Sequence, residues 1–325
     1  MLQCRTVATV VFGTGYIGSR LVQELLFQGR DVIAVDNFFA SDRRAISGFH
    51  RAHGFRLMEG SIVDPVAVER ALGLTADIDS VYLLAAQASA HPDAAPADYT
   101  EEVNLRGPRV VLEALVRCRP GIPVVFASST RVYGTALPDQ VDETTPYGVM
   151  TDLAHLSKCY VEKLMEMYAA VYHLQCRVVR LGLAYGVAPV MKTDVRFMTA
   201  PNLFCYQAAT GCPLEVRGDA PLALIHVEDA ARALLCAGDA RHMGSFVVYN
   251  GASAVSSVPL IAEEVRRLGE ARGLEVVIHN RVQQSEGRSG WPAIRSALER
   301  VGFSPRRELG EGLSETLDYF MVSAQ

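Results

Sequence analysis

The chain has 325 residues, half of them apolar, and a formal net charge of −5. That length corresponds to one large α/β domain with an appended lobe, or to two domains, with enough apolar material to build a core without disulfide or metal staples. No run of Lys or Arg interrupts the acidic balance, which argues against nucleic acid and anionic membranes as partners. No stretch reaches the roughly 18 apolar residues of a membrane span. The strand pattern that begins at residue 7 is read as leaving no room for a signal peptide. The seven cysteines are scattered, without CxxC or metal-ligand spacing, so free thiols, no metal and a reducing cytoplasmic setting are expected.

Short β-branched runs alternate with helical patterns through the first half. Residues 7–12 read as a strand, 16–28 as a helix, 31–35 and 55–58 as strands, and 65–72 as a helix with Asp64 at its N-cap. Next come a strand at 80–84, a helix at 99–116, a strand at 122–127, a helix capped by Thr151 or Asp152 that runs to about 172, and a strand at 176–181. Such alternation requires parallel pairing with right-handed crossovers, a doubly wound Rossmann-type sheet. After residue 188 the rhythm loosens. Residues 225–227 lead into a helix at 228–237, 246–250 is strand-like, and helical patterns cover 258–272, 292–301 and 310–322. The expected organisation is a dinucleotide-binding unit over 1–187, with 222–250 open to returning to it, and a smaller C-terminal α/β lobe over 188–325.

Gly13-Thr14-Gly15-Tyr16-Ile17-Gly18 is a GxGxxG directly after the first strand and opening a helix. Gly13 permits the tight turn, Gly15 lets backbone approach a pyrophosphate, and Gly18 lets the helix pack on the strand. The free N–H groups of the helix start then face the phosphates. Asp36 ends the second strand, where a carboxylate accepts from both ribose hydroxyls and repels a 2′-phosphate. NAD is therefore expected rather than NADP.

Further segments carry a resemblance. These are Leu84-Ala85-Ala86-Gln87, Asn104-Leu105-Arg106-Gly107, Phe126 to Gly134 with Ser128, Ser129 and Thr130, Asp142-Glu143-Thr144-Thr145-Pro146, and Ser157-Lys158 followed by Glu162-Lys163-Leu164. Gly218-Asp219, Ile225 to Ala231 and Leu298 to Pro305 continue the series. In order and together they resemble the extended short-chain dehydrogenase/reductase family, of the NAD-dependent epimerase/dehydratase type that acts on nucleotide sugars. The resemblance implies hydride transfer between NAD and a sugar carbon. It assigns Gly13, Gly15, Tyr16, Ile17, Gly18, Asp36, Asn37, Ser61, Ile62, Leu84, Ala85, Ala86, Gln87, Asn104, Lys158 and Leu181 to the cofactor. Ser129 falls on the position that holds the reacting oxygen, and Lys158 on the position that holds the nicotinamide ribose. Ser128, Thr130, Asn202, Arg217 and Arg295 are the candidate substrate contacts.

The pattern breaks at the general base. Four residues before Lys158, where the family places Tyr, stands Ala154, and no gap between Pro146 and Lys158 moves it. On a helix i−4 lies about 40° around from i, so both side chains reach one spot. Alanine moves no proton, and a positioned acid or base supplies roughly 10²–10⁴ in rate. His155, at i−3, is one replacement. Tyr147, folding into the space beside Ala154, is another, and a loop carboxylate or the substrate itself are further ones. Leu183 replaces the family's Asn and Leu222 its diphosphate-binding Arg, which removes a donor and a cation from the phosphate site. Lys192, Arg196, Asn202, Arg217 and Arg295 are candidates to compensate, and Ser61 replaces an Asp beneath adenine.

The helices at 99–117 and 152–172 are apolar too far around for one buried stripe, and in the family these helices form a dimer seam. A homodimer with a small, sugar-like substrate is expected. The function expected is NAD-dependent oxidoreductase, epimerase or dehydratase-type chemistry with an atypical proton relay. The alternative is an NAD-binding protein of the same fold with altered or lost catalysis, or one acting on an intermediate that is no nucleotide sugar.

Overall fold

The computed structural model describes residues 7–89, 91, 93–134, 138–240, 244–281 and 293–323. Strand β1 (Ala8–Phe12) is buried at all five positions, because a parallel strand covered by helices on both faces has no solvent side with which to alternate. There follow α1 (Tyr16–Phe27), β2 (Asp31–Asp36), α2 (Arg43–Ser47), β3 (Phe55–Glu59), α3 (Pro65–Gly73) and β4 (Ile78–Leu83). Asp64 caps α3 as expected, accepting from Val66 N at 2.9 Å. Helices α4 (Ala97–Glu101) and α5 (Gly107–Cys118) are joined by a wider π turn at Glu102–Arg106. Next are β5 (Val124–Ser129), the short β6 (Gln140–Val141), α6 (Leu153–Tyr172) and β7 (Cys176–Leu181).

The rest of the chain supplies β8 (Leu183–Tyr185), α7 (Ala200–Ala209), β9 (Leu214–Val216), β10 (Pro221–His226), α8 (Val227–Asp239) and β11 (Phe246–Gly251). It ends with β12 (Ala254–Ser257), α9 (Val258–Glu270), β13 (Ile278–Asn280), β14 (Ala293–Ile294) and α10 (Leu309–Ser323). The main sheet has seven strands in the order β11-β7-β5-β4-β1-β2-β3, every neighbouring pair parallel. Thus β11 lies in the main sheet, beside β7, and α8 lies against α1. One apolar layer, with Val10, Phe12, Val81, Val111 and Met165, lies between the sheet and α3, α5 and α6. The other, with Val11, Leu21, Val125 and Leu234, lies under α1 and α8. The lobe builds its own core from Phe204, Leu224, Ile261 and Leu317 around the small sheet β12-β10-β8.

The strand order reverses between β1 and β4: successive strands move outward through β2 and β3 on one side, and through β5, β7 and β11 on the other. Loops leaving the carboxyl ends of β1 and β4 part there and open a crevice. The helix expected across 292–301 is not formed where the chain is described. Ala293–Ile294 is a strand and Ala297–Val301 a 3₁₀ turn, because this segment spends its backbone bonds on neighbours. Ala293 N and Arg295 N donate to the carbonyls of Asp139 and Val141 at 2.9 and 2.8 Å, and Ala297 N donates to the Glu143 carboxylate at 2.8 Å. Among the described residues no helix is long and apolar enough to cross a membrane.

Candidate active site

The crevice is a cleft of about 560 Å³ between the main sheet and the lobe. The three glycines of the first turn do different work. Gly13 has φ +92°, and a Cβ there would stand 2.4 Å from Ala85 N. A Cβ on Gly18 would stand 1.9 Å from Gly13 O. Gly15 meets nothing within 4 Å and lines the cleft with Tyr16, Ile17 and Gly18. The first two are closed by protein; the third faces open space at a helix start, where unpaired N–H groups attract phosphate.

Asp36 is held at the end of β2. One carboxylate oxygen accepts from Thr14 N and Thr14 Oγ1 at 2.6 and 3.0 Å, the other from Phe38 N and Ser41 Oγ at 2.7 and 2.9 Å. Phe38 takes a left-handed φ of 56° to wrap the chain around it. Beside it Asn37 Nδ2 donates to Tyr99 Oη at 3.2 Å, and Phe39 stacks on Tyr99 with centroids 4.0 Å apart. Asp36, Asn37, Phe39, Ser41 and Tyr99, with Ser61 and Ile62, line one end of the cleft. Leu84 to Gln87 and Leu181 line its middle. Asn104 stands outside the lining. Its amide is spent on Gln87 N and Gln87 O, both at 2.8 Å, and on Ser157 Oγ at 3.1 Å, so it braces the segment after β4 against α6 instead of meeting a ligand.

At the other end Lys158 Nζ donates to Ala127 O at 2.9 Å and lies 4.7 Å from the centre of the Phe126 ring. Burial pulls its pKa down to about 8, against the opposing field of Glu162. Ser129 lines the cleft, and its Oγ accepts from Arg131 N at 3.2 Å, which leaves the hydroxyl proton to give. Ala154 also lines the cleft, with 5% of its surface exposed. Next to it, His155 Nδ1 stands 2.8 and 2.7 Å from the two oxygens of Asp152. Asp152 is at the same time the N-cap of α6, accepting from His155 N at 2.9 Å. Burial would raise the Asp152 pKa, but the hydrogen bonds from His155 hold it below the ordinary value. A carboxylate fixing Nδ1–H presents Nε2 as the basic nitrogen. The sequence offered Thr151 or Asp152 as the cap, the structure takes Asp152, and its spacing of three residues to His155 is the signal for this second role.

Several expectations are corrected. Tyr147 does not fill the space beside Ala154. Its hydroxyl donates to Glu162 at 3.0 Å, its ring packs with Val132, Tyr133 and Val141, and burial together with Glu162 pushes its pKa up. Glu162 is fully buried. It also accepts from Ser128 Oγ at 2.5 Å and from Arg180 Nη2 at 2.7 Å. Ser128 and Thr130 border the cleft, yet their hydroxyls donate inward, to Glu162 and, at 3.4 Å, to Leu181 O. Asn202 is buried and does not line the cleft; it accepts from Gly186 N and donates to Tyr16 Oη, both at 3.0 Å. Arg217 and Arg295 are exposed, outside the lining. Arg196 is paired with Asp194 at 2.5 Å. Of the candidate compensating residues, Lys192 alone lines the cleft, as do the replacements Leu183 and Leu222.

A doubly wound parallel sheet, with a glycine turn opening its first helix and a carboxylate ending its second strand, defines a dinucleotide-binding protein. The chain belongs to the NAD dependent epimerase/dehydratase family, whose model matches residues 8–250. It is similar to UDP-glucuronic acid decarboxylase 1 of Arabidopsis thaliana, 27% identical over 320 residues that cover 96% of this chain and 69% of that protein. It is also similar to UDP-N-acetyl-alpha-D-glucosaminuronate decarboxylase of Bacillus cytotoxicus, 25% identical over 319 residues and 95% of each chain. Its fold is that of a UDP-glucose 4-epimerase from Brucella ovis solved in complex with NAD, at a TM-score of 0.82 and 21% identity over 97% of this chain and 98% of that one. The cofactor of the family is NAD, and the opening at Gly15 and the carboxylate of Asp36 fit it.

Proposed function

We propose that this protein is a hydride-transfer enzyme for a hydroxyl-bearing, sugar-like substrate, a nucleotide sugar among the candidates, in which His155 oriented by Asp152 does the proton work of the missing phenol. NAD, when bound, supplies the hydride acceptor. Gly13, Gly15 and Gly18 with the start of α1 hold its pyrophosphate, and Asp36 its adenosine ribose. Ser129 donates its proton to the substrate oxygen and fixes it. His155 Nε2 takes the proton that leaves that oxygen as hydride departs from carbon, and Asp152 stabilises the imidazolium that forms. Lys158 lends positive charge to the same end of the cleft.

The observation that carries this reading is that His155 lines the cleft while Asp152 behind it holds Nδ1 at 2.7 and 2.8 Å from its carboxylate oxygens. Single-turnover absorbance of the nicotinamide, followed across a panel of nucleotide sugars, tests it. His155→Ala lowers the rate by about 10²–10⁴, with NAD affinity unchanged. A His155→Ala enzyme as fast as wild type contradicts it. Should no sugar change the absorbance of wild type, the second reading, an NAD-binding protein whose chemistry went with the phenol at Ala154, takes its place.

A homodimer through the helices at 99–117 and 152–172 belongs to the same proposal, with the exposed apolar stripe on α6. Leu156, Tyr160, Met167 and Val171 are exposed on it, and spacings of 4, 11 and 15 residues place them within one narrow stripe. Light scattering on Met167→Glu, expected to shift the dimer toward monomer, checks this. The described cysteines are all free, which supports the cytoplasm as the compartment.

A further inference from the structure

The wall that the lobe contributes to the cleft is almost wholly apolar. Leu183, Ala184, Phe197, Ala200, Leu222 and Val258 form it, and the one hydroxyl among them, on Thr199, is spent on Ala184 O at 2.9 Å. Lys192 is the exception. It is half-buried in the cleft, and no hydrogen bond or ion pair holds its ammonium among the described residues. The ammonium instead lies 5.8 Å from the centre of the Tyr16 ring, an arrangement that stabilises a cation weakly and leaves all its N–H donors free. The ring is itself fixed, since Tyr16 Oη donates to Gly186 O at 2.6 Å and accepts from Asn202 Nδ2 at 3.0 Å. The backbone before Lys192 is tied to α1 by Val190 N donating to Ser19 Oγ at 3.1 Å and by Arg20 Nη2 donating to Val187 O at 2.8 Å. A cation on a rigid mount, in an apolar wall and without a counter-ion, is costly to keep unless something anionic meets it.

We propose that Lys192 is the anion receptor for the substrate, taking one carboxylate or phosphate oxygen while Leu183, Phe197, Leu222 and Val258 cover the body of the molecule. The inference rests on the proposed function for the site and adds the chemistry of what that site accepts. The charge of the cleft agrees with it. Arg131, His155 and Lys158 line the same space, and the only carboxylate among the described lining residues is Asp36, at the end of β2, where the proposed function gives it to the adenosine ribose. Burial lowers the Lys192 pKa to about 8, so the receptor is charged below that pH and fades above it.

Titration calorimetry on the NAD-saturated protein tests the proposal, with UDP-glucose as the diphosphate probe and glucuronate as the carboxylate probe. At pH 7 at least one probe binds, and which one identifies the source of the anion. Lys192→Met weakens that probe about tenfold to a hundredfold, Lys192→Arg restores most of the loss, and NAD affinity stays within about twofold. Above pH 8 the wild-type affinity falls by up to about tenfold per unit, while Lys192→Arg holds. His155, Lys158, Arg131, Tyr16 and Asp36 are common to both proteins, so the difference reports residue 192. The proposal is overturned if neither probe binds, if Lys192→Met binds as wild type does, or if it loses NAD by the same factor. These isotherms need no turnover, so a failure of hydride transfer and a failure of anion recognition are read separately.

Discussion

Replacing Glu162 with Gln perturbs the one buried carboxylate that joins the back of the cleft to α6. In the native protein its two oxygens accept from Ser128 Oγ, Tyr147 Oη and the Arg180 guanidinium at 2.5, 3.0 and 2.7 Å. Arg180 is only 5% exposed. Glutamine keeps the shape but leaves that guanidinium without its counter-charge and turns an N–H toward one of the three donors. Breaking a buried ion pair on one side costs about 3–5 kcal/mol. Unfolding entropy near the midpoint is roughly 2.1 cal/mol/K per residue, so for 325 residues the midpoint falls by roughly 4–7 °C. Tyr147→Phe removes a single hydrogen bond and leaves the ion pair, a loss of about 1 kcal/mol and roughly 1–2 °C. Scanning calorimetry of the two variants beside wild type reads both numbers. If Glu162→Gln melts no lower than Tyr147→Phe, the carboxylate is not the node described, and the correction of Tyr147 from catalytic to structural loses its basis.

The glycine turn separates folding from binding. Gly15→Ala lowers the melting temperature by no more than about 1–2 °C, the cost of a poorer N-cap on α1, because its Cβ meets no protein atom within 4 Å, but its affinity for NAD drops by at least about tenfold as the methyl enters the phosphate space. Gly18→Ala, with a Cβ 1.9 Å from Gly13 O, lowers the melting temperature itself; equilibrium dialysis and thermal unfolding together check the contrast. Installing the absent phenol is the complementary test. Ala154→Tyr made in the His155→Ala background recovers part of the lost hydride-transfer rate in stopped-flow absorbance, since residues 154 and 158 lie on one helix face.

The parallel sheet and the cofactor turn are legible in the sequence because both rest on local chemistry. The β-branched run at 8–12, followed at once by a glycine turn, reads as a doubly covered strand, and Gly13, Gly15 and Gly18 state their backbone demands in their spacing. The tail at 292–301 was misleading for the opposite reason. Its apolar spacing suits a helix, but its backbone donors find Asp139, Val141 and Glu143, partners far off in sequence that no local pattern announces. The catalytic end shows the same divide. The loss at Ala154 is visible by counting back from Lys158, and His155 beside it follows. That Tyr147 is taken by Glu162, that Asn202 serves Tyr16, and that Arg217 and Arg295 lie outside the cleft are tertiary facts. They depend on where separate elements meet. Lys192 stood among five candidates of equal weight until the lobe wall placed it alone in the cleft.

The replacement of the phenol by the Asp152–His155 pair is tested most directly by a crystal structure of the protein with NAD and a bound sugar substrate. The account predicts His155 Nε2 and Ser129 Oγ converging, each about 3 Å away, on the one substrate oxygen whose carbon faces the nicotinamide. A structure in which Nε2 turns from that oxygen, while another side chain's phenol or carboxylate occupies the volume beside Ala154, contradicts it.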